Sequence, residues 1–316
     1  MRVLLTGATG NLGSEVAIDL KRRGIEVIPI VRPGKRKFVA QFESIVESDL
    51  TAEGRIEFGG TAEAIVHCAG DVRFRKVERA NERMMRKVLH LAESLKAPLF
   101  FASTAFVYKP RGSNIDFNNS YEEDKYHAEQ VLSAARIPYA ILRPSVLTGN
   151  SRTGRILNFS GYYSLVRAFL NAVRGSVAKN RKLRFPRMTG TSDMVPVDEA
   201  AIQFGDAVQN ERLATVYVTN PAPPQSQWVL DETLDFFGLR NKVAIIDMPF
   251  DEYGKLGLTE EERALFNFAS HFAPYWSIDY RFPSSACTRN LIDRDYVTRI
   301  LTFFRDSGHP TLAYAQ

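Results

Sequence analysis

Cysteine is scarce in this chain, and its two copies, Cys68 and Cys287, stand far apart with no Cys-x-x-Cys spacing. That argues against a disulfide framework and a thiolate zinc site, and it fits reducing surroundings. Long apolar runs are missing too: none approaches the roughly 20 residues that a bilayer-crossing helix needs, and the first residues lack the apolar stretch of a signal peptide. A cytoplasmic protein with no membrane span is expected. No internal repeat or low-complexity tract is present, so solenoid and disordered readings fall away. Acid is not in excess: the formal net charge is +5 and the sequence pI about 9.1, which suits an anionic ligand. The basic residues do not interleave with aromatics as in nucleic-acid modules, so no nucleic acid partner is expected.

What is present is a folded-domain composition, 45% hydrophobic and 24% charged over 316 residues. That length predicts one large α/β domain with an appended lobe. The chain opens on an apolar strand pattern, Arg2-Val3-Leu4-Leu5, that runs into Thr6-Gly7-Ala8-Thr9-Gly10-Asn11-Leu12-Gly13 and then into a helical pattern with Val16, Ala17 and Leu20 on one face. Gly7, Gly10 and Gly13 suit a tight strand-to-helix turn whose backbone can approach a pyrophosphate. The helix start behind it would hold the negative charge. The turn Gly7, Thr9, Gly10, Asn11, Leu12 and Gly13 is therefore the expected phosphate end of a dinucleotide site.

A second strand pattern, Ile25 to Val31, ends at Arg32, with Lys35, Arg36 and Lys37 close behind. An acidic residue at this point takes a ribose 2′-hydroxyl, whereas an arginine accommodates a 2′-phosphate. Arg32 points to NADP(H) rather than NAD. Strand patterns at Ser44 to Glu47 and Ala64 to Val66 deliver Asp49-Leu50 and His67-Cys68-Ala69-Gly70. Both ends should face the cofactor, since ligands sit outside the carboxyl ends of strands in an open parallel sheet. His67 is read as structural, and Cys68, Ala69 and Gly70 as the small residues against which the adenosine half lies. A helix with Ala80, Met84, Val88, Leu91 and Leu95 on its core face is predicted from Val77 to Leu95.

A fifth strand, Pro98 to Ala102, opens into Ser103-Thr104-Ala105-Phe106-Val107-Tyr108, and the chain's one Tyr-x-x-x-Lys follows as Tyr121-Glu122-Glu123-Asp124-Lys125. Four-residue spacing on a helix puts Tyr121 and Lys125 on one face, one turn apart. The ammonium is expected to lower the phenol's pKa and ready it to protonate a carbonyl oxygen.

The order Thr-Gly-Ala-Thr-Gly-Asn-Leu-Gly, His-Cys-Ala-Gly, Ser-Thr-Ala-Phe-Val-Tyr, Tyr-Glu-Glu-Asp-Lys and Leu142-Arg143-Pro144-Ser145-Val146 resembles the extended short-chain dehydrogenase/reductases over about the first two hundred residues. Asp193 to Ala201 is similar to a segment of the thioester reductase and fatty acyl reductase domains, and Phe272 to Trp276 to the tail of that group. The resemblance implies a Rossmann-type doubly wound parallel α/β sheet with a smaller mixed C-terminal substrate lobe. It implies that Thr104, Tyr121 and Lys125 are catalytic, that Ser103 could substitute for Thr104, and that Pro144 to Val146 border the nicotinamide. Asp124 departs from the family, which often carries a small hydroxyl residue there, and would tilt the charge around Lys125. The loops between the early strands are shorter than in typical thioester reductases, which removes part of a carrier-protein contact.

The cofactor domain is expected over 1–150, completed by about 195–220, with 151–194 and 221–316 forming the substrate lobe. Tyr162 to Leu170 reads as an amphipathic helix, either a lid or simple packing. Arg174, Lys179, Arg181, Lys182, Arg184 and Arg187 form a basic stretch, either solvated or attracting the phosphate-bearing part of a substrate. The expected activity is NADPH-dependent reduction of a carbonyl or acyl thioester, free or carried by an acyl carrier protein or CoA. A nucleotide-sugar epimerase or dehydratase of the same fold and a non-catalytic NADP-binding redox sensor are the alternatives.

Overall fold

The computed structural model describes residues 1–74, 78–110, 117–283, 286–287 and 289–307. The chain forms two compact units. The first comprises Met1–Leu147, Val197–Thr219 and Phe282–Arg289; the second comprises Thr148–Pro196, Asn220–Arg281 and Asn290–Gln316.

The first unit is built on strands β1 (Arg2–Thr6), β2 (Glu26–Val31), β3 (Val46–Glu47), β4 (Ala64–His67), β5 (Leu99–Ala102), β6 (Tyr139–Pro144), β7 (Thr215–Thr219) and β8 (Ala286–Cys287). They form one sheet in the order β8-β7-β6-β5-β4-β1-β2-β3, and each pairing is parallel. Helices α1 (Asn11–Arg22), α2 (Ala80–Leu95), α3 (Ser120–Ser133) and α4 (Val197–Gln209) cover it. Because helices lie on both faces, the central strands are apolar on both sides: Val3, Leu4 and Leu5 are wholly buried, as are Ala64, Ile65 and Val66. On one layer Leu4, Ile65, Phe101 and Ile141 pack with Met84, Met85, Val88 and Leu132 of α2 and α3. The methionines are core filler. Strand order reverses between β1 and β4, which opens a crevice at their carboxyl ends.

Boundaries differ from the periodic pattern in places. The third strand shortens to two residues, and the helix after β4 begins at Ala80, while Val77 lies outside the described residues. Beyond Thr215–Thr219, Ala286–Cys287 adds a further strand at the edge. Two paired residues leave no periodicity to read.

The second unit holds helices Tyr162–Ala178, Ser226–Phe236, Glu260–Ala269 and Arg294–Asp306 and a parallel pair of strands, Leu183–Pro186 with Val243–Ile246. Tyr162–Ala178 is the shared wall of two cores, giving Tyr163, Val166 and Leu170 to one and Phe169, Ala172 and Val173 to the other. Its role in this unit is packing. The basic stretch divides among helix end, turn and strand, and much of its charge is paired locally: Lys179 with Glu260, Arg184 with Glu262 and Arg187 with Asp247. Among the described residues, no helix is long and apolar enough to cross a membrane.

Candidate active site

The three glycines of the opening turn serve different needs. Gly7 has φ +78°, and a Cβ there would stand 2.6 Å from the Ala69 nitrogen. A Cβ on Gly13 would come within 2.2 Å of the Gly7 carbonyl oxygen. Gly10 is the N-cap of α1 and offers no side chain to cap it. The turn is thus drawn tightly between the helix and the end of β4, with backbone alone on the surface where phosphates would lie. These positions fit a dinucleotide.

Thr6, at the end of β1, ties that turn to β4. Its hydroxyl accepts from the Ala69 N–H at 3.1 Å and is hydrogen-bonded to His67 Nδ1 at 2.7 Å. His67 is fully buried and stacks on Phe101. Burial, then the neighbouring Lys125 charge, push the imidazole down to about 3, so it is neutral at any working pH. It holds the strand ends together and does not act as an imidazolium acid.

Along β2 the chain ends in exposed Arg32, Lys35, Arg36 and Lys37, with the Lys35 and Lys37 ammonium groups 4.9 and 5.3 Å from the Phe38 ring centre. Asp49 turns its carboxylate to the Thr51 N–H at 2.9 Å and hydroxyl at 2.7 Å. Those bonds, and more weakly the Arg32 charge, hold it below the usual carboxylate range. The Leu50 side chain lies in the core beside Ile28 and Ile30. Asp49 and Leu50 therefore shape the loop.

Thr104 follows β5 and is buried; its hydroxyl accepts from the Phe106 N–H at 3.4 Å and stands near enough to the Tyr121 phenol to lower its pKa slightly. Tyr121 is half-buried on the first turn of α3, which Asn119 caps by accepting from the Glu122 N–H at 3.1 Å. One turn on, Lys125 is buried and donates from Nζ to the Ala102 carbonyl at 2.8 Å, 4.7 Å from the Phe101 ring centre. A Cβ on Gly70 would stand 3.0 Å from that Nζ. The strand ends and α3 thus bring Thr104, Tyr121, Lys125 and Gly70 to one place.

The expected effect of Lys125 on Tyr121 is not what this structure shows. Burial first, and then the Glu122 carboxylate, raise the phenol's pKa, against a smaller lowering by Thr104. One donor of the ammonium goes to the Ala102 carbonyl. Lys125 itself is pushed down to about 8, chiefly by burial, with Cys68, Asp124 and Glu129 opposing. Burial pushes the Cys68 thiol up to about 12, so no thiolate stands beside Lys125 near neutrality. Tyr121 is a protonated phenol throughout the working range, which is the form a proton donor needs.

Several residues of this region carry no signal in the linear pattern. Glu122 is fully buried and accepts from Asn118 and from Lys109 Nζ at 3.3 Å. Glu129, one turn past Lys125, pairs with Arg143, whose guanidinium also reaches the Tyr217 hydroxyl. Tyr217, Tyr108, Phe106 and Phe282 stack edge and face into an aromatic wall beyond Thr104. Asn81, 2% exposed, sits beneath Gly70. The Leu-Arg-Pro triplet hints at Arg143, but nothing marks its partners. Pro144 and Ser145 are buried at the end of β6, and Val146 is half-buried.

A family model described as male sterility protein matches residues 45–203, half of the chain. The chain belongs to this family. The family is one of NAD-binding type. No curated protein sequence matches it. Among solved structures, the terminal R domain from the myxalamid PKS-NRPS pathway is similar at 20% identity and TM-score 0.69, with 97% of this chain and 91% of that one covered. A thiolation-reductase di-domain from an archaeal non-ribosomal peptide synthetase is similar at 15% identity and TM-score 0.70, over 100% and 76% of the chains. The UDP-Glc/GlcNAc 4-epimerase from Campylobacter jejuni shares the fold at 15% identity and TM-score 0.61, over 96% and 99%. As a male sterility family member the chain has the Rossmann sheet that its opening turn predicts.

Proposed function

We propose that this protein is an NADPH-dependent reductase of a carbonyl or acyl thioester. The observation that carries the reading is the convergence of Thr104 and the Tyr121 phenol with the buried Lys125 ammonium one turn on. The glycine turn and the Cys68-Ala69-Gly70 end of β4 would hold the dinucleotide, and exposed Arg32 would take its 2′-phosphate. When bound, NADPH supplies hydride to the substrate carbonyl carbon. Tyr121 gives its proton to the carbonyl oxygen, and Thr104 donates a second hydrogen bond where charge develops. Lys125 holds a ribose hydroxyl through its ammonium. The aromatic wall of Phe106, Tyr108, Tyr217 and Phe282 keeps water from one side of the reacting atoms. That solved relatives of this fold are reductase domains of carrier-linked synthetases favours a carrier-bound acyl thioester, with an acyl carrier protein or CoA as partner.

The test is consumption of NADPH against acyl-CoAs, acylated carrier proteins, aldehydes and ketones, with NADH in parallel. The reading expects NADPH loss stoichiometric with product. Interconversion of nucleotide sugars without net oxidation would replace it with an epimerase, and binding without turnover on any substrate would leave a redox sensor. Arg32→Glu is expected to weaken NADPH binding by about ten- to hundredfold, the worth of a charge-assisted hydrogen bond, and to leave NADH binding within a few-fold.

A pH dependence follows from Lys125. Its ammonium is present below about 8 and lost above it, so NADPH affinity should fall as pH rises through that point. Folding moves the opposite way. The folded group is deprotonated more readily than the unfolded one, so the cost of burying the charge is fully present below about 8 and is relieved towards the ordinary lysine value. Isothermal titration of NADPH between pH 6 and about 10 checks the first limb.

A further inference from the structure

Asp124 stands between Tyr121 and Lys125 in the sequence but faces α2. It is 4% exposed. Its Oδ2 accepts from the Asn81 backbone N–H at 2.8 Å and from Asn81 Nδ2 at 2.9 Å, and its Oδ1 accepts from the Glu82 N–H at 3.0 Å. The N-cap residue of α2, Arg79, makes no side-chain cap. A carboxylate from the neighbouring helix therefore does that work, and its charge suits the positive end of α2.

The chain of contacts continues. Asn81 Nδ2 also donates to the Asp71 carbonyl at 3.0 Å, and Asn81 Oδ1 accepts from the Asp71 N–H at 2.9 Å. This two-point grip fixes the turn that follows β4. A Cβ added at Gly70 would stand 3.2 Å from Asn81 Oδ1 as well as 3.0 Å from Lys125 Nζ, so the amide and the ammonium converge on the same glycine from two helices. The charged and titratable groups around Lys125 are few: His67 at the end of β4 and Cys68 just after it, and Tyr121, Asp124 and Glu129 from α3, the phenol being protonated. The thiol and imidazole are neutral, and Glu129 is already matched by Arg143. The hydrogen-bond donors to Asp124 are uncharged amides. Asp124, next to Lys125 on α3, favours the charged form of that lysine.

We infer that Asp124 is a positioning residue for the cofactor side of this site. It holds Asn81, and through Asn81 the Gly70-Asp71 turn, against Lys125, and it supplies the negative charge that keeps the Lys125 ammonium in place. The inference rests on the reductase reading for its consequence in cofactor binding. A hydroxyl at this position could accept a hydrogen bond but could not span two backbone N–H groups and an amide with a full charge.

The experiment measures NADPH affinity from pH 6 to about 10 for wild type, Asp124→Asn and Asn81→Ala, with Asp293→Ala as a comparison. Asp293 caps the helix Arg294–Asp306 of the second unit by accepting from the Tyr296 N–H at 2.8 Å, so its loss removes a cap without touching this site. Asp124→Asn is expected to weaken NADPH binding about tenfold at neutral pH and to move the alkaline limb to lower pH. Asn81→Ala keeps the carboxylate and the backbone cap; it should weaken binding while the limb stays where wild type has it. Asp293→Ala should lower thermal stability alone. Wild-type affinity in Asn81→Ala, or an unmoved limb in folded Asp124→Asn, overturns the inference. Should Asp124→Asn not fold, Asn81→Ala decides. If wild type binds no NADPH, the reductase reading falls, and the inference is then judged by carbon-13 NMR titration of the Lys125 ε-carbon in the same variants, which needs no cofactor: an unchanged midpoint in Asp124→Asn overturns it.

Discussion

Tyr121→Phe is expected to lower turnover of NADPH with its carbonyl substrate by about 10²- to 10⁴-fold, the usual contribution of a positioned proton donor, and to leave NADPH affinity unchanged. The phenol ring packs near Phe74 on the first turn of α3, and its ring can stay where it is. What disappears is the hydroxyl that Thr104 meets. Because burial and Glu122 keep that phenol protonated, the wild-type rate should show no alkaline limb from Tyr121 itself. Thr104→Ala removes only the second hydrogen bond and should cost less. Stopped-flow turnover with NADPH titrated separately checks both, and near-normal turnover in Tyr121→Phe would defeat the assignment.

The second large effect belongs to the other unit and to stability. Glu262 is 1% exposed and accepts from the Arg184 backbone N–H at 3.0 Å, from Arg184 Nε at 2.9 Å and Nη2 at 2.7 Å, and from the Thr259 N–H at 2.9 Å. It closes the capping box of its own helix and pins the strand Leu183–Pro186 to it. Burial alone would raise its pKa, but Arg184 and the backbone donors bring it down to about 2. Removing one partner of a buried pair costs about 3–5 kcal/mol. Arg184 keeps 39% of its side chain exposed, and water there offsets part of the loss. Glu262→Gln is therefore expected to cost about 2–3 kcal/mol in urea unfolding. The sign with pH is fixed: the contribution is complete above the ordinary carboxylate value and lost as pH falls towards about 2. Wild type should lose stability along that limb, and Glu262→Gln should lack it.

Both effects bear on how far a linear pattern reaches. Tyr121 and Lys125 were legible because a four-residue step on a helix puts them on one face. Their electrostatics were not, since the ammonium turns to a carbonyl of β5 that lies 23 residues away. Arg184 read only as one charge of a basic stretch, and its partner Glu262 lies 78 residues away. Asp124 read only as a departure from the family, because its three donors belong to another helix. The Tyr162–Ala178 helix read equally well as a lid or as packing, and its contacts within its own unit show the packing.

The amino-acid order by itself determined the glycine turn, the apolar strands that must be covered on both faces, and the helix carrying Tyr121 and Lys125. Those are short-range matters, settled by steric room at a backbone and by periods of two and 3.6 residues. Tertiary structure alone decided which buried charges face each other: Asp124 under α2, Glu129 against Arg143, Lys125 over Phe101. The reason is physical. Coulomb energy and desolvation depend on distance through the folded interior, and separation along the chain carries no record of that distance.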